Sequence, residues 1–228
     1  MSIDNKGTAD IIDLDEFLLK SQGGSQTPPA KLVQMPGTDR MAVVGIMVDN
    51  SGSMQHLVKP VITGLEKCAE AFEGARGSDF YMLIRDFRSE IFSGLLKDLD
   101  KSVFKRYCPD FNFTPIVAHS APMLKDLHRK AAEYRGMGFP TTVAMLILTD
   151  GEANEDSDPS EFANIIEGTD YIVGMGIVYR DGSDTPGRYY RNLFGNMGIE
   201  RVVTPSSDPA DIRHEINQFS RSVASIAS

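Results

Sequence analysis

The chain has 228 residues, 41% of them hydrophobic and 24% charged, with a formal net charge of −9. That length suffices for one well-buried domain plus tails, and the acidic balance argues against general binding to nucleic acid or to an anionic membrane surface. No apolar run reaches the roughly 18 residues of a membrane span. The start, MSIDNKGTAD, lacks the basic and apolar regions of a signal peptide, so a cytoplasmic location is expected. Cys68 and Cys108 are the two cysteines, and reduced thiols fit that setting better than a disulfide framework.

Residues 1–40 read as a segment apart. Ile11, Ile12, Leu14, Phe17 and Leu18 form the apolar face of a short amphipathic piece. The following SQGGSQTPPAKLVQMPGTDR has the composition of a flexible linker. The folded domain is therefore expected over residues 41–228. It opens with the apolar run Met41–Val48, a buried strand ending in VDNSGSM. Leu57, Val61, Leu65, Cys68 and Phe72 then recur at helical spacing. Residues 80–84 form a second apolar run, and the mixed stretch 90–96 suits an edge strand. A helix is expected over 123–134, with Leu124, Leu127 and Ala131 on one face and Pro122 in its first turn or at a kink.

Residues 143–149 and 171–178 give two more apolar runs, and Arg201–Val203 a short one. Between them, Asp158-Pro159-Ser160-Glu161 reads as N-cap, first-turn proline and capping-box glutamate of a helix through Ile166. Arg180, Arg188, Tyr189, Tyr190 and Arg191 lie in a loop over 179–191, which runs into a helix with Tyr190, Leu193 and Phe194 inward. Ile212, Ile216, Phe219 and Val223 mark a last helix. Most of the strands are nearly continuous in apolar residues, the pattern of strands covered on both faces. Strand–helix alternation then predicts an α/β fold: a doubly wound, mostly parallel sheet with helices on both faces. Ligands of such sheets sit at the carboxyl ends of the strands.

The loop after Val48 stands at such an end. Asp49, Ser51 and Ser53 occupy alternate positions, and Gly52 gives the backbone freedom to curl them toward one point. One carboxylate and two hydroxyls are hard oxygen ligands that suit Mg²⁺. Taken alone, the same residues also serve to cap a helix. Thr114 before Pro115 also reads as an N-cap followed by a first-turn proline, and Thr149-Asp150-Gly151 as a turn. The alternating Asp150, Glu152, Asn154, Asp156 and Asp158, with Glu161, resemble an EF-hand loop, but Glu155 stands where that loop needs glycine. His56, His119, His128 and His214 show no metal-ligand spacing.

Taken together and in order, VDNSGSM, NFTP at 112–115 and LILTDG at 146–151 resemble the motifs of the von Willebrand factor A (VWA) domain family. The resemblance spans roughly residues 41–225. It implies a metal-ion-dependent adhesion site in which Ser51 and Ser53 ligate the ion directly. Thr114 would ligate directly or through water, and Asp49 and Asp150 would act largely through water. One metal position would stay open for an Asp or Glu of a protein partner. The chain departs from the family at Asn112-Phe113, where small residues, commonly two glycines, are usual. It is similar to the small bacterial or phage stand-alone VWA proteins, including those found with tellurium-resistance and stress-response proteins.

The expected function is thus a non-enzymatic, metal-dependent protein-binding module. Mg²⁺ is the expected ion, with Mn²⁺ and Ca²⁺ as alternatives. Two other readings compete. One is a Mg²⁺-dependent phosphohydrolase with Asp49 as nucleophile. There Ser51 replaces the acid/base aspartate of a D-x-D-x-T enzyme, and no P-loop or G-x-S-x-G elbow is present. The other is a structural subunit whose contacts lie away from the metal.

Overall fold

Eight consecutive residues, Met41–Val48, form strand β1, and every one is buried. The structure, a computed structural model, describes residues 36–150, 157–167, 169–176, 185–203 and 208–227. The amphipathic piece at 11–20, the residues 152–156 and the first part, 179–184, of the loop expected over 179–191 lie outside the described residues. So do the side chains of Arg188, Tyr189 and Tyr190. Residues 185–191 are not loop but the start of a helix over Thr185–Asn196. β1 pairs in parallel with β2 (Asp79–Asp86) on one side and with β4 (Thr141–Thr149) on the other. β3 (Glu90–Leu95) runs antiparallel to β2 and forms one edge. β5 (Tyr171–Gly176) and β6 (Arg201–Val203) extend the sheet in parallel beyond β4.

The resulting order is β3-β2-β1-β4-β5-β6. The chain builds outward from β1 to β3, then returns to the other side of β1 at β4. That reversal opens a crevice between the carboxyl ends of β1 and β4, the usual ligand position of a doubly wound sheet. The α/β expectation of a mostly parallel, doubly wound sheet therefore holds, and the 90–96 stretch is an edge strand as its mixed composition implied.

Helices cover both faces. α1 (Val58–Glu73) and the last helix, Pro209–Ala227, share one core with the strand. Ala42, Val44, Ile46 and Val48 meet Val61, Leu65, Phe72, Ile216 and Phe219 there. Cys68 is buried in this core, where burial pushes its thiol far up; Cys108 is exposed, and both are free. On the opposite face α2 (Ile116–Gly136) lies against β1 and β4. Gly45 makes this approach possible: a Cβ there would stand 2.5 Å from Leu127 Cδ1 and 3.1 Å from Met123 Cε. α3 (Pro159–Ala163) packs on α2, and α4 (Thr185–Asn196) packs on α3.

Two helix expectations need correction. α2 starts at Ile116, not 123, and Pro122 lies inside it. Its first turns bury Ile116, Val117, Ser120 and Ala121, and that packing outweighs the backbone bond a proline forfeits. α3 ends at Ala163 rather than Ile166. Asp158 does cap it, accepting from the Ser160 N–H at 2.9 Å. Beyond Ala163 the bonds tighten to Ile165 N–H with Phe162 O and Ile166 N–H with Ala163 O, a 3₁₀-type finish. Among the described residues no helix is long and apolar enough to cross a membrane.

The close seat of α2 predicts an outcome for Gly45→Val. It should destabilise the domain by about 1–3 kcal/mol in urea unfolding, the range for overpacking a filled core. Gly136→Ala, where an added Cβ meets nothing within 4 Å, should stay within about 0.5 kcal/mol of wild type.

Candidate functional site

Asp49 follows the last residue of β1, and its N–H still bonds Leu148 O of β4 at 2.8 Å. Its side chain is fully buried at 0% exposure. Both carboxylate oxygens are used. Oδ1 accepts from the Ser51 N–H at 2.7 Å, and Oδ2 accepts from the Thr149 hydroxyl at 2.6 Å. The Asp49 carbonyl accepts from the Tyr107 hydroxyl at 2.7 Å. Burial holds the Asp49 carboxyl above its ordinary range, against the opposing bonds from Thr149 and Ser51.

A second chain of bonds runs from this loop to β4. Ser51 Oγ lies 2.9 Å from Ser53 Oγ, and the Ser53 hydroxyl donates to Asp150 Oδ1 at 2.8 Å. Ser51 Oγ also serves the Asp49 carboxylate, so the loop's hydroxyls touch both acids. Ser51 and Asp150 are each 5% exposed, whereas Ser53 is exposed and marks the way in. Asp150 Oδ2 is buried without a hydrogen-bond partner among the described residues. Burial pushes the Asp150 carboxyl up to about 7, with the Asp49 charge adding to the rise and the Ser53 bond opposing it.

The threonine loop is laced to the same edge. Gly52 N–H bonds Phe111 O at 2.9 Å, and Phe111 N–H bonds Asn50 O at 3.0 Å. Ser51 and Phe111 thereby form a parallel bridge. Thr114, three residues on, is 5% exposed. Of the five residues singled out by sequence, Asp49, Ser51, Ser53 and Asp150 are joined by one run of backbone and hydrogen bonds. Thr114 lies buried on the adjoining loop.

The capping readings do not hold here. Ser51 is the N-cap residue of a 3₁₀ turn over Gly52–Leu57, yet makes no side-chain cap bond. The N-cap position of α2 is Pro115, not Thr114. His56 Nδ1 lies 2.8 Å from Ser53 O within its own turn, and His128 Nε2 lies 2.8 Å from Thr169 Oγ1.

Two residues of the site escaped sequence reasoning. Thr149 read as the end of an apolar strand and the start of a turn, not as a site residue, although it holds Asp49 Oδ2. Its place immediately before Asp150 is the signal that was there to use. Tyr107 sits after a 3₁₀ turn, Lys101–Arg106, that has no sequence period to find. Burial and the nearby Asp49 push its hydroxyl far up, so it remains a donor.

The arrangement suits a hard divalent cation. Buried side-chain atoms with no partner among the described residues are Asn50 Oδ1 and Nδ2, Ser120 Oγ, Tyr134 OH and Asp150 Oδ2. Three of these five belong to this edge, and Asp150 Oδ2 is an acceptor beside two serine hydroxyls. Among the described residues no three His, Cys, Asp or Glu side chains gather, so the donors are hydroxyls and two carboxylates. Such a set is chemically that of Mg²⁺ rather than of a soft metal. A cleft at the opposite end of the sheet, near Phe72, Phe80 and Leu95, offers less. Asp79 at its mouth is committed to the N–H groups of Gly37 and Thr38.

The fold is shared with solved VWA structures. Over 82% of its length the chain superposes on a von Willebrand factor type A protein from Catenulispora acidiphila, with TM-score 0.53 and 12% identity. The VWA domain of SpRpn10 matches over 78% of this chain and 94% of its own, with TM-score 0.53 and 10% identity. The pilus adhesin SpaC of Lactobacillus rhamnosus GG matches over 85%, with TM-score 0.57 and 12% identity. The chain spans 43% of the length of the Catenulispora protein and 31% of that of the adhesin. No family model matches the chain, and no curated protein matches it. The fold is therefore VWA-like: an α/β, Rossmann-like sheet.

The buried carboxylates predict a pH dependence for the metal-free protein. Asp150 has a folded pKa raised above its unfolded value of 3.8. Its stabilising effect is thus complete only below that value and is lost as pH rises through about 7. Asp150→Asn should be more stable than wild type near pH 8 without metal, on the order of 1 kcal/mol, with the gap closing toward about pH 5. Urea unfolding of both proteins across that range checks it.

Proposed function

We propose that this domain is a protein-interaction module that holds one divalent cation on the edge formed by β1 and β4. Ser51, Ser53 and Thr114 would hold the ion, with Asp49 and Asp150 beside it. Mg²⁺ is the ion proposed, with Mn²⁺ and Ca²⁺ as alternatives. One position would be left for an Asp or Glu of a partner protein. The observation that carries this reading is the Ser51–Ser53–Asp150 chain, which ends in a buried Asp150 Oδ2 with no partner among the described residues. Here a cation would do what no neighbouring donor does: it would balance two buried carboxylates. The bound ion supplies positive charge for an incoming carboxylate, which Asp49 and Asp150 alone would repel.

Asp49 and Asp150 divide the work. Asp49 fixes the loop, since both of its oxygens are bonded to protein. Asp150, linked through Ser53 to the exposed side, sets the local charge. The same geometry speaks against the phosphohydrolase alternative. A nucleophile needs an accessible lone pair in reach of substrate, and Asp49 is fully buried with both oxygens engaged. The module is therefore proposed to be no enzyme.

The proposed module spans residues 41–228, with 1–40 as a separate segment and linker. A cytoplasmic protein of the bacterial or phage stand-alone type would use such a module in a stress-response or assembly complex. The tellurium-resistance-associated VWA proteins are the subtype proposed. The partner is a protein, not nucleic acid or membrane, in keeping with the net charge of −9.

Calorimetric titration of metal-free protein with Mg²⁺ tests the site. Wild type should bind one ion. Ser53→Ala, a change at an exposed position, should weaken binding by about tenfold or more. Equal binding by the two proteins would remove the serines from the site.

A further inference from the structure

Phe113 is 59% exposed, the most exposed of the large hydrophobic residues named among the described residues. A single exposed phenylalanine is ordinary on a protein surface; this one has a built support. Its ring stands edge-on to Phe111 at 6.0 Å between centroids, and Phe111 lies 6.4 Å from Phe87. Phe87 is buried and lies 5.5 Å from His119 of α2. The Arg88 guanidinium lies over the Phe111 ring at 5.2 Å. The same Arg88 pairs with Asp110 at 2.5 Å, so its charge is already matched. A ladder of rings thus rises from the core to solvent and ends in Phe113.

Position ties that ladder to the candidate ion site. Phe111 is bonded on both sides to the serine loop, through Gly52 N–H and Asn50 O. Phe113 follows two residues later and directly precedes Thr114. Two residues span at most roughly 7 Å, so the Phe113 backbone stays within that reach of Phe111. Phe113 is thus tied through Phe111 to the serine loop and directly precedes the candidate ligand Thr114.

We propose that Phe113 sets partner specificity: the partner carries a large apolar side chain, aromatic or branched aliphatic, next to the Asp or Glu it offers to the ion. This rests on the ion-site reading above. The ion answers the carboxylate, and Phe113 answers the neighbouring side chain. The supporting rings hold Phe113 in place, so little freedom is lost when a partner covers it. Aromatic pairs prefer offset or edge-to-face contact, which admits a partner phenylalanine or leucine without a deep pocket.

Blocked dipeptides provide the probes. Acetyl-Asp-Phe-amide and acetyl-Phe-Asp-amide should bind Mg²⁺-saturated wild type about tenfold more tightly than acetyl-Asp-Gly-amide, measured by NMR titration. Phe113→Ser should keep its Mg²⁺ affinity and its response to the glycine probe but lose the preference. Phe113→Leu should retain most of it. Mg²⁺-dependent binding of all three probes with equal affinity would overturn the role of Phe113 and leave the ion site standing. A preference that survives in Phe113→Ser would do the same. Binding of the probes unchanged by chelator would overturn the ion-site reading, and this proposal with it.

Discussion

Asp49 is fully buried where β1 ends, and it stays there because the fold gives each of its oxygens a donor. The Ser51 N–H serves one and the Thr149 hydroxyl the other. A buried carboxylate without such bonds is strongly disfavoured. These two bonds also join the loop after β1 to the end of β4, across the point where the sheet reverses direction. Tyr107 adds a third tie at the Asp49 carbonyl. The backbone bridge between Ser51 and Phe111 brings in the threonine loop. Remove the Asp49 side chain and the serine loop loses the tie to Thr149, while the Ser53–Asp150 bond and the backbone bond to Leu148 remain.

That anchoring separates two kinds of carboxylate on one edge. Asp49 is structural in its contacts, closed to solvent and saturated by donors. Among the described residues Asp150 receives a bond from Ser53 and keeps one oxygen without a partner. Asp86, at the end of β2, is different again: it accepts from the N–H groups of Arg88 and Ser89 and merely ties a turn. An acidic residue at a strand end is therefore not a sign of function by itself. What distinguishes Asp150 is unmet bonding capacity beside hydroxyls.

Much of this was legible in the sequence because burial on both faces writes itself as unbroken apolar runs. Met41–Val48 and the run before Asp150 needed no long-range information, and their parallel pairing followed from composition. Asp49, Ser51, Ser53 and Asp150 stood out only through the ordered set of motifs that resembles the VWA family, since each motif alone reads as a cap or a turn. Less was legible where tertiary packing overrides local preference. Pro122 read as a first-turn residue or a kink, and the buried faces of Ile116, Val117 and Ala121 start α2 well before it. Tyr107 and Thr149 were invisible as site residues because their roles arise from contacts 58 and 100 positions away in the chain. One-turn 3₁₀ segments lack a period altogether.

The central claim is that a divalent ion sits among Ser51, Ser53 and Thr114, and a paramagnetic ion can report its own position. Substoichiometric Mn²⁺ added to ¹⁵N-labelled, metal-free protein should broaden the amide signals of Ser51, Gly52, Ser53, Thr114 and Asp150 first, and excess Mg²⁺ should restore them. Broadening spread over the acidic surface, or centred elsewhere while these five amides stay sharp, would contradict the account.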